Sequence, residues 1–154
     1  MARDDRVKLK KLVIDFTQAF NDDDLDRVMS FFAADASYDE FNGIRHIGKN
    51  AIREAFVPQF RGDFGKIRFR AEDLFIDAVT GKALISWCCT LESAERAGGW
   101  RGLDVLHFRN GLLINKQTYA KTKLPSMIKK HDMEKWPTSE KVAARLASID
   151  VIGD

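Results

Sequence analysis

Apolar residues recur at helical spacing through the first third of the chain. Between Asp5 and Asn21, the residues Leu9, Leu12, Val13, Phe16, Ala19 and Phe20 share one face of a 3.6-residue repeat, which predicts a long amphipathic helix. The run Asn21-Asp22-Asp23-Asp24 interrupts it and supplies capping side chains. Leu25, Val28, Met29 and Phe32 then follow at i, i+3, i+4 and i+7, a second helix. Ala36-Ser37-Tyr38-Asp39-Glu40-Phe41 reads as a short strand closed by Asn42-Gly43. Gly48 to Phe60 reads as a third helix, with Ile52, Ala55 and Phe56 as its apolar stripe and Pro58 near its end.

The repeat then changes to two. In Lys66 to Asp77, Ile67 and Phe69 alternate with Lys66, Arg68 and Arg70. Thr80-Gly81 makes a turn into a strand from Lys82 to Ser93, and Ala94 to Gly99 reads as a loop. Trp100 to Arg109 and Leu112 to Thr122 flank Asn110-Gly111, a strong hairpin signal. Helices followed by a run of strands predict an α+β fold: three helices packed on one face of a curved, mostly antiparallel sheet, with room for a pocket between them. From residue 123 to 154 the composition shifts. Val142, Leu146 and Ile149 form a helical stripe there, which predicts a C-terminal helical extension packed on the domain of residues 1–122, as a lid or as an outer cap.

Composition changes this picture little. The 154 residues suit one core, and eleven Phe against two Tyr suggest a core or cavity walled by plain aromatic rings. A net charge of +2 does not imply nucleic acid, and the basic face of Lys66, Arg68 and Arg70 lacks an aromatic stacking platform. No apolar run has the length of a membrane span, and no apolar segment of signal-peptide type follows the charged N-terminus. Cys88 and Cys89 are strand neighbours pointing to opposite faces, so they do not pair; a reduced, cytoplasmic protein is expected. His46, His107 and His131 have no partners at metal-ligand spacing. The Asp22-x-Asp24-x-Asp26 run meets Arg27 and Ala33 where a calcium loop needs Gly and Glu. No metal or cofactor is expected.

Ionisable residues at inward strand positions carry the candidate chemistry. Asp104 shares a face with Leu106 and Phe108; Lys116 with Leu112, Ile114 and Thr118; Glu40 with Ala36 and Tyr38. Alternation alone leaves open whether these line a cavity or sit at a surface rim. Leu113 and Tyr119 alternate with the inward set on the last strand, which predicts an apolar outer face and a homodimer through it.

Three blocks carry a family resemblance: "FTQAFNDDDLDRVMSFFAADASYDEFNG", "GKNAIREAF" and "GLDVLHFRNGLLI". From about Leu12 to Thr122 the chain resembles the SnoaL-like branch of the nuclear-transport-factor-2-like superfamily, which includes ketosteroid isomerases and polyketide cyclases. The resemblance implies a cone-shaped, cystatin-like α+β fold with a ligand pocket between the sheet and the first helix, and commonly a homodimer. It places Glu40 at the isomerase general base and Asp104 at the protonated acid of the oxyanion hole. Phe16 falls where the isomerases carry a tyrosine, and it cannot donate a hydrogen bond. Trp87, Cys89 and Leu91 are placed on the opposite wall. The working acid that cyclases carry in the last strand is replaced here by Lys116 and Thr118.

Two functions follow as expectations. In one, Glu40 lies in a pocket walled by Phe16, Phe20 and Trp87 and moves a proton next to a carbonyl, with neutral Asp104 or cationic Lys116 stabilising the oxygen. In the other, the pocket binds a small apolar molecule without catalysis, and Glu40 and Lys116 form an ion pair. Direct contact between Glu40 and Lys116 discriminates the two.

Overall fold

The computed structural model describes residues 2–121; the 123–154 segment, with its expected helices and lid, lies outside the described residues. Helix α1 (Ala2–Asn21) is followed by a short α2 (Leu25–Ser30), strands β1 (Phe32–Asp39) and β2 (Arg45–Ile47), and α3 (Lys49–Arg61). Four long strands complete the fold: β3 (Lys66–Asp77), β4 (Lys82–Glu92), β5 (Ala97–Arg109) and β6 (Leu112–Ala120). The described strands form one sheet in the order β2-β1-β6-β5-β4-β3. Only the β1–β6 pairing in it is parallel, so the sheet is mixed.

Helix α2 starts where the acidic run predicts, for the predicted reason. The Asp24 carboxylate accepts from the Arg27 amide at 3.0 Å, satisfying an open donor of the first turn. Asn21 does something else: its side chain accepts from the Phe69 amide at 2.7 Å and donates to the Phe69 carbonyl at 2.8 Å, tying the end of α1 to β3. At the other end of α1, Arg6 donates to the Ile76 carbonyl at 2.9 Å. At the β5–β6 turn, Asn110 and Gly111 have φ of 52° and 77°, the paired positive values of the two-residue hairpin that the sequence signals.

Four expectations need correction. Phe32 does not continue α2; it opens β1, buried against the ring of Phe16 at 5.7 Å. The three-residue β2, paired with Ser37, Tyr38 and Asp39, is too short to show an alternation. Strand β5 begins at Ala97, inside the stretch read as a loop. Leu113 is fully buried and Leu112 is exposed, the reverse of the expected phase. Partner register shifts between His107 and Phe108, leaving Ile114 as an extra residue on β6, and such a bulge flips the side chains on one side of it. Tyr119 is exposed as expected, and Leu112 is exposed in place of Leu113. A like shift between Ala71 and Asp73 in β3 turns Leu74 and Ile76 toward the core after Ile67 and Phe69.

The core lies between α1, α3 and the concave sheet face. Its centre is a set of edge-to-face rings: Phe16 with Phe20 at 5.1 Å, and Phe20 with Phe56 at 5.2 Å. No helix among the described residues is long and apolar enough to cross a membrane.

Candidate functional site

The inward positions of β4, β5 and β6 converge on one buried polar cluster. Asp104 and Lys116 are the charged residues of the buried set, 8% and 5% exposed. Asp104 Oδ1 accepts from Lys116 Nζ at 2.9 Å and from Thr118 Oγ1 at 2.6 Å; its Oδ2 accepts from Trp87 Nε1 at 3.2 Å. Lys116 also donates to Thr118 Oγ1 at 2.6 Å, and its ammonium lies 4.5 Å from the centroid of the Tyr38 ring. Register explains the convergence: Asp104 pairs with Thr118, and Tyr38 with Lys116, across adjacent strands.

Gly102 makes the cluster possible. It faces Trp87 across the β4–β5 ladder, and a Cβ there would lie 2.5 Å from Trp87 Cη2. The missing side chain lets the indole lie over β5 and reach Asp104.

Burial by itself would lower the proton affinity of the Lys116 amine. The charge of Asp104, then Tyr38, the Asp104 hydrogen bond and Glu40, outweigh this and raise its pKa above the ordinary lysine value. Burial raises the Tyr38 phenol, with the neighbouring Lys116 charge opposing it. Three donors converge on the Asp104 carboxyl, so it is already engaged within the cluster.

Around this cluster lie two adjoining cavities. The inner one, about 90 Å³, is lined by Phe16, Phe20, Tyr38, Trp87, Asp104, Lys116 and Thr118, among others. The outer one, about 530 Å³, is lined by Glu40, Cys89 and Leu91, with Asn42, Ile67 and Phe64. Tyr38, Phe41, Phe56, Gln59, Phe69 and Trp100 line both, so the two are compartments of one cleft. Leu106 lines neither: it is fully buried in the core beneath.

Glu40 stands just past β1, with its side chain 18% exposed. A tight turn holds it: its amide donates to the Ile44 carbonyl at 2.9 Å, and Asn42 Nδ2 donates to its Oε2 at 2.7 Å. The other oxygen, Oε1, lies 3.3 Å from His46 Nε2, close enough for an ion pair but off the hydrogen-bond angle. Glu40 and Lys116 are not an ion pair; Lys116 belongs to Asp104, and Glu40 faces the outer compartment beside His46. The direct Glu40–Lys116 contact expected of the binding reading is absent.

Cys89 is buried, and burial, with the neighbouring Cys88, pushes its thiol up to about 11, so it is no thiolate nucleophile at neutral pH. Among the described residues no group of three or more His, Cys, Asp or Glu is placed to hold a metal ion.

Sequence reasoning missed Trp100, Gly102, Gln59 and His46 as site residues. Trp100 and Gly102 follow from β5 once it is extended back to Ala97, since Gly102 faces a tryptophan in the ladder. His46 depends on the unseen β2, where it pairs with Tyr38.

A helix-packed, strongly curved mixed sheet enclosing a cleft of this kind defines the cystatin-like, nuclear-transport-factor-2-like class. Several solved structures share it. A candidate polyketide cyclase from Xanthomonas campestris pv. campestris is 19% identical, with 76% of this chain and 93% of that one covered at a TM-score of 0.67. A protein with a cystatin-like fold from Methylobium petroleophilum PM1 is 17% identical, with 81% and 83% covered at 0.65. TerC, co-crystallised with polyporic acid, is 12% identical, with 74% and 92% covered at 0.64. At these identities the likeness shows the fold alone. The chain matches no curated protein. Residues 13–115 match the family model of the SnoaL-like domain, and the chain belongs to that family.

Proposed function

We propose that the protein takes a small, apolar, ring-containing carbonyl compound into the outer compartment and moves a proton on it, with Glu40 as the base. One observation carries this reading: Glu40 is the carboxylate that lines the apolar cavity, and among the described residues no lysine or arginine pairs with it. The aromatic walls suit a flat ligand. Asn42 fixes one carboxylate oxygen, and His46 backs the other. Lys116 contributes a fixed positive charge at the closed end of the cleft, already engaged by Asp104. TerC, co-crystallised with polyporic acid, supports a ring-shaped ligand for this fold.

The closed Asp104–Lys116–Thr118–Trp87 network favours a second reading, binding without turnover, because those donors are already taken. Deuterium uptake by 2-tetralone in D₂O separates the two. The expected result is exchange faster than buffer, reduced about 10²–10⁴-fold in Glu40→Gln. Binding of 2-tetralone without faster exchange supports the second reading. Exchange unchanged in Glu40→Gln refutes the role of this residue.

A further inference from the structure

The two tryptophans of the cleft are used differently. Trp87 Nε1 donates to Asp104, whereas Trp100 Nε1 is buried and has no hydrogen-bond partner among the described residues. A buried donor left unpaired is costly, and folded proteins pair such groups with protein, water or ligand. Trp100 lines both compartments, and its ring lies 6.1 Å from that of Phe41, the residue next to Glu40. Four neighbouring donors are occupied: Trp87, Lys116 and Thr118 serve Asp104, and Thr17 serves the Val13 carbonyl; the Tyr38 hydroxyl also lines both compartments, but it is not among the buried unpaired groups. Gln59 lines both compartments too, but its amide is not among the buried unpaired groups. His46 Nε2 is unpaired as well, yet His46 lines neither compartment.

We infer that Trp100 Nε1 is the donor that recognises an acceptor oxygen on the ligand, and that it sets a preference for ring ketones over hydrocarbons of the same shape. The inference rests on the pocket reading above and adds the atom that orients the ligand. An oxygen held at Trp100 leaves the rest of the ring in the compartment that Glu40 shares.

The test uses the full chain and two probes of one shape, 2-acetonaphthone and 2-isopropenylnaphthalene, in which a methylene replaces the carbonyl oxygen. The chain has three tryptophans, so its indole N–H signals in a ¹⁵N-correlated spectrum are few, and the signal missing from Trp100→Phe is that of Trp100. The expected result is a downfield shift of that signal with the ketone and not with the hydrocarbon. The ratio of the two dissociation constants should also move about five- to tenfold against the ketone in Trp100→Phe. Equal indole shifts with both probes, or an unchanged ratio in the variant, overturn the inference while the pocket stands. If neither probe binds, the pocket reading falls and the inference with it. If Trp100→Phe does not fold, Trp87→Phe and Trp136→Phe identify the Trp100 signal by elimination, and its shift in the unsubstituted protein decides alone.

Discussion

Replacing Lys116 with Met tests whether the buried cluster is a true desolvated ion pair. Methionine keeps much of the stem volume and removes the ammonium. Asp104 would then keep Trp87 and Thr118 as donors and lose its cation. The two side chains are only 6% and 12% exposed, so water does little to replace the lost charge. Breaking one side of such a pair costs about 3–5 kcal/mol, which for a chain of this size lowers Tm by about 10 °C. Urea unfolding at pH 7, fitted for both midpoint and slope, gives the loss. Adding Asp104→Asn to Lys116→Met removes the stranded charge and should recover at least half of it. A loss below about 1 kcal/mol would mean that water reaches the pair, contrary to the burial argued here. If the double variant is no better than the single one, the ammonium's contacts with the rings of Tyr38, Phe20 and Phe56 carried the effect instead. The pH dependence supplies a sign. Lys116 is raised above its reference of 10.5, so its contribution is fully present below that pH and is lost as pH rises through the higher folded-state value. Lys116→Met should lack that alkaline loss.

Two further expectations concern the walls of the cleft. Gly102→Ala puts a methyl 2.5 Å from the Trp87 ring and 2.4 Å from the Tyr119 carbonyl, so it should destabilise by about 1–3 kcal/mol and shift tryptophan emission; unfolding and emission equal to the parent would refute the close approach. Iodoacetamide at pH 8 should label Cys88 before Cys89, whose buried thiol is held up to about 11; peptide mass spectrometry showing equal labelling in the folded protein would count against this burial.

The helix and strand inventory was largely legible because its signals are local. The α1 stripe, the Asp24 cap and the Asn110-Gly111 turn each depend on a few consecutive residues. That Asp104 shares a face with Leu106 and Phe108 was legible from alternation in β5; that this end of the face is buried was not. What failed was phase across bulges: the extra residue at Ile114 reversed Leu112 and Leu113, and no side-chain pattern announces where a ladder slips. The pairing partners were illegible for a different reason. Whether Lys116 meets Asp104 or Glu40 depends on which strands are neighbours, and Glu40 lies beyond the end of β1 on a turn whose geometry sends it to His46.

The two ties between α1 and β3 have a consequence for solubility. Strand β3 is at the edge of the sheet, and its outward-facing amides and carbonyls form a template on which another chain could add a strand. Asn21 fills both hydrogen-bonding positions of Phe69, as one residue of a neighbouring strand would, and Arg6 covers the carbonyl of Ile76. Between these points the bulge after Ala71 bends the edge away from straightness. The helix that walls the cleft thus also guards the sheet against addition of a foreign strand. Losing the Asn21 side chain would expose an adhesive edge long before it disturbed the cleft.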